Sequence, residues 1–423
     1  MKTFNTIVLF IFFSSSALSQ NLDEKATYAR PNPDSQHMKL INGHWFNGTT
    51  FEQKTVWLSD GLIRFKNPGI AEDTILDLAD QFVIPPFAEA HNHNLESSYE
   101  LDKRIASYLE NGIFYVKHLS SIKKRVAPLL KHYNKPDGID VSFAHAPLTA
   151  SGGHPIALRE RYLEKGYFQG LFTSIEEIEF HGYVRIDNAN DLDKKWDSIL
   201  SFAPDFIKLN LLYSETYEER KNDTAYFGQK GLNPKLIRPI VEKAHAEGLR
   251  VSAHVETAHD FHVAVTAGVD EIAHLPELKN GRAIAKEDAL LAQKKGLVVV
   301  TTVSLVTKRQ KRPEYQDLLH NITTNLKLLK ASGVTLALGS DMYNDNSTEE
   351  FRMLRNLNVF SNLELLKMWT ENATATTFPR RKVGRLQEGY EASFLVLKTN
   401  PLANLDAITE NITLRIKQGV VLN

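Results

Sequence analysis

The 423-residue sequence contains no cysteine. That excludes disulfides, thiolate metal ligands and a lipid-modified cysteine, so any metal must be held by nitrogen and oxygen donors. An excess of either charge is missing too: 50 Lys and Arg stand against 51 Asp and Glu, a formal net charge of −1. This balance gives no electrostatic reason to expect nucleic acid or an anionic membrane as partner. Long apolar runs are absent except at the start, where residues 7–13 are wholly apolar. They follow Met1-Lys2-Thr3 and precede Ser14-Ser15-Ser16-Ala17-Leu18-Ser19-Gln20. A basic start, a short apolar stretch and small residues form a secretory signal peptide over residues 1–20, too short to remain as a spanning anchor. The expectation is an exported protein, secreted or periplasmic, and soluble after cleavage near Ser19 or Gln20.

What remains has two textures. After a polar, proline-bearing lead-in, residues 38–85 read as short strands at 39–43, 54–61 and 62–65, punctuated by Asn-Gly and Asp-Gly turns. From residue 86, strands alternate with helices. Segment 234–247 places Leu236, Ile237, Ile240, Val241 and Ala244 on one helical face, and Gly248 stops it. A β-branched run then leads to His254. The same order recurs from Gly112 to His118, Gly138 to His145, Gly268 to His274, Gly296 to Thr302 and Gly333 to Asp341. Residues 83–90, ending at His91, and residues 205–209, containing Lys208, complete eight strand-helix units across residues 86–376. The fold class expected is α/β, a (β/α)8 TIM barrel. A doubly wound open sheet ranks lower, because titratable side chains end nearly every strand instead of clustering near one crevice. Strands are expected again at 383–386, 392–397 and 414–416. Residues 38–85 and 377–423 should then pair as a small β-sandwich outside the barrel.

The strand ends carry the chemistry. His91 and His93 are spaced i, i+2, which on a strand puts both imidazoles on one face; two solvated loop histidines are the alternative. Lys208, His254, His274 and Asp341 join them. A His-rich nitrogen and oxygen set suits zinc or a similar divalent transition ion. Four imidazoles exceed what one catalytic zinc takes with a position left open, which points to two ions per chain. Lys208 is either a rim lysine with a snorkelled ammonium or an amine neutralised by desolvation. A neutral amine could react with CO₂ to a carbamate that bridges two metals. Asp341 either caps the turn that follows it or binds metal and passes a proton from metal-activated water to a leaving nitrogen.

Taken in strand order, His91-Asn92-His93, Lys208, His254, His274 and Asp341 resemble the amidohydrolase superfamily of metal-dependent hydrolases, over roughly residues 38–423. Asp205-Phe206-Ile207-Lys208 and Ser151-Gly152-Gly153-His154 are similar to motifs of its imidazolonepropionase and Xaa-Pro dipeptidase (prolidase-like) branch. The resemblance implies cleavage of a C–N amide bond in a small molecule, dipeptide or cyclic amide by metal-activated hydroxide. It also implies that His154 and Tyr213 contact a substrate carboxylate or carbonyl; a generic loop histidine and tyrosine are the alternative. Three departures stand out. Pro86 replaces the Gly, and Glu89 the Asp, that precede the histidine pair in the family pattern. After His254 comes Val255-Glu256-Thr257, without the His-x-x-Glu of deaminases. The presence of Lys208 with that lack favours a two-metal hydrolase. A lactone or phosphoester hydrolase and a non-catalytic binding barrel are the competing readings. Residues 151–204 would lie over the mouth as a lid or specificity element, with a structural insertion as the alternative; His118 and His145 are read as packed, hydrogen-bonded histidines in preference to groups facing the mouth. A homo-oligomer is left open.

Overall fold

A computed structural model describes residues 27–276 and 283–422. The expected signal peptide, residues 1–20, lies outside the described residues. Among those described, no helix is long and apolar enough to cross a membrane.

Eight parallel strands fall on the eight segments read from the sequence: β1 (Phe87–Asn92), β2 (Ile113–His118), β3 (Asp140–Phe143), β4 (Ile207–Asn210), β5 (Val251–His254), β6 (Glu271–Ile272), β7 (Val298–Val300) and β8 (Thr335–Ala337). Helical segments precede β2 to β8. Helix Ile237–Ala246 buries Ile237, Ile240, Val241 and Ala244. Gly248 then turns the chain into β5 at φ +70°, a left-handed conformation that costs glycine little.

β1 to β3 form one parallel sheet, and β4 to β8 run in order in a second, extended by the short strands Leu148–Thr149 and Val184–Arg185. Backbone hydrogen bonds join the two on both sides. Ala90 N–H donates to Leu338 at 2.9 Å and Asp341 N–H to His91 at 2.8 Å, while Asp205 N–H donates to Phe143 at 2.9 Å. The first junction needs Gly339, where a Cβ would lie 2.6 Å from both His91 N and a Val300 methyl. Under β1, Phe87 stacks on Trp369 with ring centroids 3.8 Å apart, and Trp369 on Phe351 at 4.6 Å.

The chain ends do meet, but in a different form from the one expected. Strands from both ends make one continuous eight-stranded sheet, with Phe82–Ile84 antiparallel to Phe394–Leu397 at the junction. Among the described residues, then, a two-sheet sandwich is not seen. Residues 383–386 are not a strand either: Gly384 sits at φ +75°, which breaks an extended run. A buried ion network ties this sheet to β3. Arg381 meets Asp140 at 2.7 Å and Glu391 at 2.6 Å, and Lys417 meets Asp140 at 2.8 Å.

Residues 151–204 have their own organisation. Helices Ile156–Glu164 and Ala189–Ser201 are joined by a chain that builds a satellite core around Ile156, Phe168, Phe172, Ile178 and Tyr183, with Ile122 beneath.

Candidate metal centre

The carboxyl end of β1 aims His91 and His93 the same way, and their Nε2 atoms lie 3.3 Å apart. Asp341, in the turn after β8, takes a left-handed φ of +49°. This conformation is uncommon for Asp and turns its carboxylate back toward β1. Its Oδ1 stands 3.5 Å from His91 Nε2 and 3.1 Å from His93 Nε2. Two donors bound at 2.0–2.1 Å to one tetrahedral ion lie roughly 3.3–3.4 Å from each other. The three separations therefore fit a shared ion without rearrangement, and the donor atoms all lie within 4.8 Å of one another.

The other histidines continue from this group. His274 Nε2 is 3.8 Å from Asp341 Oδ2. Its ring centroid lies 4.5 Å from that of His91 and 4.4 Å from that of His254, against which His154 stacks at 5.2 Å. Lys208, on β4, contributes a buried Nζ with no hydrogen-bond partner among the described residues. Burial lowers its pKa to about 7, against the opposing pull of Glu271 and Asp341. An orphaned amine beside imidazoles and carboxylates fits a site that takes cations and a modified lysine.

Electrostatics divide the roles. Burial holds His91 and His274 well below the ordinary imidazole range, so they present lone pairs. His154 is pushed down to about 3, by burial first and then by His254. Burial opposes charge on Asp341 as well; its carboxyl is nevertheless held well below its usual range to the extent that a proton shared with His91, His93 and His274 leaves positive charge on those rings. The outer ring nitrogens are tied down: His91 Nδ1 by Ala273 O at 2.8 Å, His93 Nδ1 by Ser120 O at 3.1 Å and His274 Nδ1 by Thr302 Oγ1 at 3.1 Å. Such partners fix ring orientation and tautomer.

Glu89, one of the sequence departures, is fully buried behind the centre. It accepts from Ser340 N at 2.7 Å, Ser340 Oγ at 2.9 Å and His91 N at 3.3 Å. One carboxylate thus straps the two segments that carry His91 and Asp341.

A cavity of about 230 Å³ opens on the centre and is lined by His91, His93, His154, Lys208, His254, His274 and Asp341. Tyr213 is not brought into this wall. Its backbone N–H donates to Asp260 at 3.0 Å, and its ring lies under the Arg220 guanidinium at 4.0 Å. The remaining wall escaped the sequence reading. Pro155, Leu158, Arg159 and Tyr162 line it from helix Ile156–Glu164 and its N-cap, together with Lys308 and Tyr343. The spacing 155, 158, 159, 162 is one helical face, a signal that was there to be read. His145 is hydrogen-bonded, to Ser121 Oγ at 3.2 Å. His118 departs from expectation: it packs between His93 and Phe143, but neither ring nitrogen has a hydrogen-bond partner among the described residues.

The chain is 28% identical to ochratoxinase from Aspergillus niger over 203 residues, 45% of this chain and 40% of that one. The chain thus spans about 40% of the length of the curated relatives it matches. The crystal structure of A. niger ochratoxinase superposes with a TM-score of 0.72 at 19% identity, covering 92% of this chain and 96% of that one. A prolidase complexed with N-methylphosphonate-L-proline gives 0.71 at 19% identity, covering 92% and 99%. The model of the amidohydrolase family matches residues 142–422, well over half of the sequence. The chain belongs to the amidohydrolase family.

Proposed function

We propose that the protein is an exported metal-dependent hydrolase that cleaves a C–N amide bond in a small molecule, dipeptide or cyclic amide. The observation that carries this reading is the set of donor separations at His91, His93 and Asp341 beside the orphaned amine of Lys208. Its frame would be a closed (β/α)8 barrel, a reading supported by the backbone hydrogen bonds that join the two parallel sheets on both sides. In that frame every donor stands at the carboxyl face, where barrel active sites are built.

His91, His93 and Asp341 would hold one divalent ion, zinc by the nature of the donors, and His254 and His274 a second, with a carbamylated Lys208 between them. When bound, such ions supply Lewis acidity and make water acidic enough to attack at neutral pH. The chain's own groups do the rest. Asp341, kept ionised by its imidazole neighbours, accepts a proton at its carboxylate from the attacking water and returns it to the leaving nitrogen. His154, kept neutral by burial, offers a ring N–H to the substrate carbonyl or carboxylate. Arg159, paired with Glu96 of the same wall at 3.9 Å, and Lys308 offer cationic groups to a substrate carboxylate. Tyr213, on the loop after β4 that Asp260 holds through the backbone N–H, would meet a substrate carboxylate or carbonyl.

The test is a panel of Xaa-Pro dipeptides, hydantoins and lactones, with metal content measured per chain and Lys208 checked for carbamylation by mass spectrometry. Two ions per chain and amide turnover are expected, with turnover abolished in His254→Ala while its circular dichroism matches wild type. Undiminished activity in that variant would refute the site assignment, and turnover of lactones alone would refute the substrate class.

A further inference from the structure

The four histidines of the centre are not held alike. For His91, His93 and His274 the outer partner takes Nδ1, a backbone carbonyl in two cases and the Thr302 hydroxyl in the third. Each of these rings therefore keeps Nε2 for the centre, and each meets Asp341 through Nε2. His254 is reversed. Its Nε2 faces the carboxylate of Glu256, at 3.2 Å from Oε1, which leaves Nδ1 as the ring's ligand atom.

The partner is also chemically different. A carboxylate that accepts the Nε2–H of a neutral imidazole fixes the tautomer and makes the other nitrogen more basic, more strongly than a neutral carbonyl or hydroxyl does. Glu256 is two residues beyond His254, at the point where the sequence lacks the His-x-x-Glu pattern. Its position is well determined. The backbone N–H of Glu256 donates to Asp260 Oδ2 at 3.1 Å. Asp260 is fully buried and also accepts the N–H groups of Thr257, Tyr213 and Ser214 at 3.1, 3.0 and 2.8 Å. A carboxylate on so constrained a loop can set a ring's orientation without itself being mobile.

We propose that Glu256 is a positioning residue for the second metal ion, fixing His254 in the tautomer that offers Nδ1 while the other three histidines offer Nε2. This rests on the metal-centre reading above, and it adds what that reading lacks: a reason for the carboxylate at position 256 and an asymmetry between the two ions. The ion held by His254 depends on a charged outer partner, whereas the ion held by His91, His93 and Asp341 does not.

The test is titration of chelator-stripped full-length protein with cobalt(II) against a competing chelator, followed by visible absorption. Wild type is expected to bind two ions. In Glu256→Ala one of them should weaken about 10–100-fold while the other is unchanged, the range seen for loss of such partners. Glu256→Gln, whose amide oxygen still accepts from Nε2–H but carries no charge, should recover part of that loss, the part due to ring orientation. Matching circular dichroism and thermal unfolding of the metal-free forms identify the effect as one on the centre and not on folding. Unchanged affinity of both ions in Glu256→Ala would overturn the proposal. So would a Gln variant no better than Ala, which would make Glu256 a direct ligand. A wild-type protein that binds no cobalt would instead bring down the metal-centre reading itself.

Discussion

Replacing Lys208 with Met should make the metal-free protein more stable while ending turnover. The ammonium of Lys208 is buried with no hydrogen-bond partner among the described residues, and its pKa falls from 10.5 to about 7. Above pH 10.5 the amine is neutral in both folded and unfolded chains, and it costs folding nothing. As pH falls toward 7 the unfolded chain takes up a proton that the folded chain refuses, and the cost grows; below 7 it is constant. At 1.36 kcal/mol per unit, a shift from 10.5 to about 7 costs on the order of 4 kcal/mol at pH 7, shrinking to about 1 kcal/mol at pH 10. Met has similar length and no charge, so it should recover most of this. Urea unfolding in the presence of EDTA at pH 7 and pH 10 measures both values. A Lys208→Met protein no more stable than wild type at pH 7, or a gap that is the same at both pH values, would refute the reasoning. With zinc and bicarbonate supplied the order should narrow or reverse, because only wild type gains the free energy of binding both ions.

Arg381→Ala leaves Asp140 and Glu391 buried against one fewer cation and should cost about 3–5 kcal/mol in urea unfolding; adding Asp140→Asn should return part of it in a double-mutant cycle. Gly339→Ala puts a methyl 2.6 Å from His91 N, so metal affinity and thermal stability should fall together, and a neutral variant would show that the β1–β8 junction gives way easily. Arg159→Ala should raise KM for carboxylate-bearing amides about 10–100-fold, the loss of one charge-assisted hydrogen bond, and leave amidated analogues unaffected; equal losses on both would remove Arg159 from substrate selection. Glu89→Asp shortens the strap by about 1.5 Å and should cost about 1–3 kcal/mol with weaker metal binding, through donors left unpaired at Ser340. Unaltered stability would show that Ser340 does not need that carboxylate.

The parts of this molecule that were legible from sequence are those set by local periodicity. Six of the eight parallel strands are short apolar runs between a glycine and a polar residue, and the run's own length places that residue at the carboxyl end; β1 and β4 share the apolar run without the glycine. His91, His93, Lys208, His254, His274 and Asp341 follow from that rule, and one cavity gathers them. The misreadings have equally specific causes. Val383 and Leu386 resemble a strand, but the backbone of Gly384 is left-handed. Alternation alone showed that both chain ends form strands, and pairing between Phe82–Ile84 and Phe394–Leu397 decides that they share one sheet.

What periodicity cannot show is how a side chain is held, and here the departures from the family pattern turn out to be informative. Glu89 would be hard to rationalise alone, because a buried carboxylate of that length needs donors the local sequence does not offer. Those donors come from Ser340, 251 residues away and adjacent to Asp341. Glu256 likewise has no meaning until the ring of His254 is oriented, since an i, i+2 carboxylate in a loop has many possible partners. In both cases a carboxyl group beside a ligand takes an acceptor role, Glu89 toward Ser340 and His91 and Glu256 toward His254. Metal sites tolerate variation in their outer groups only if each ligand atom stays where the ion needs it. A departure next to a retained ligand therefore marks where this chain solved that positioning differently, and the place to look for what distinguishes its chemistry from that of its relatives.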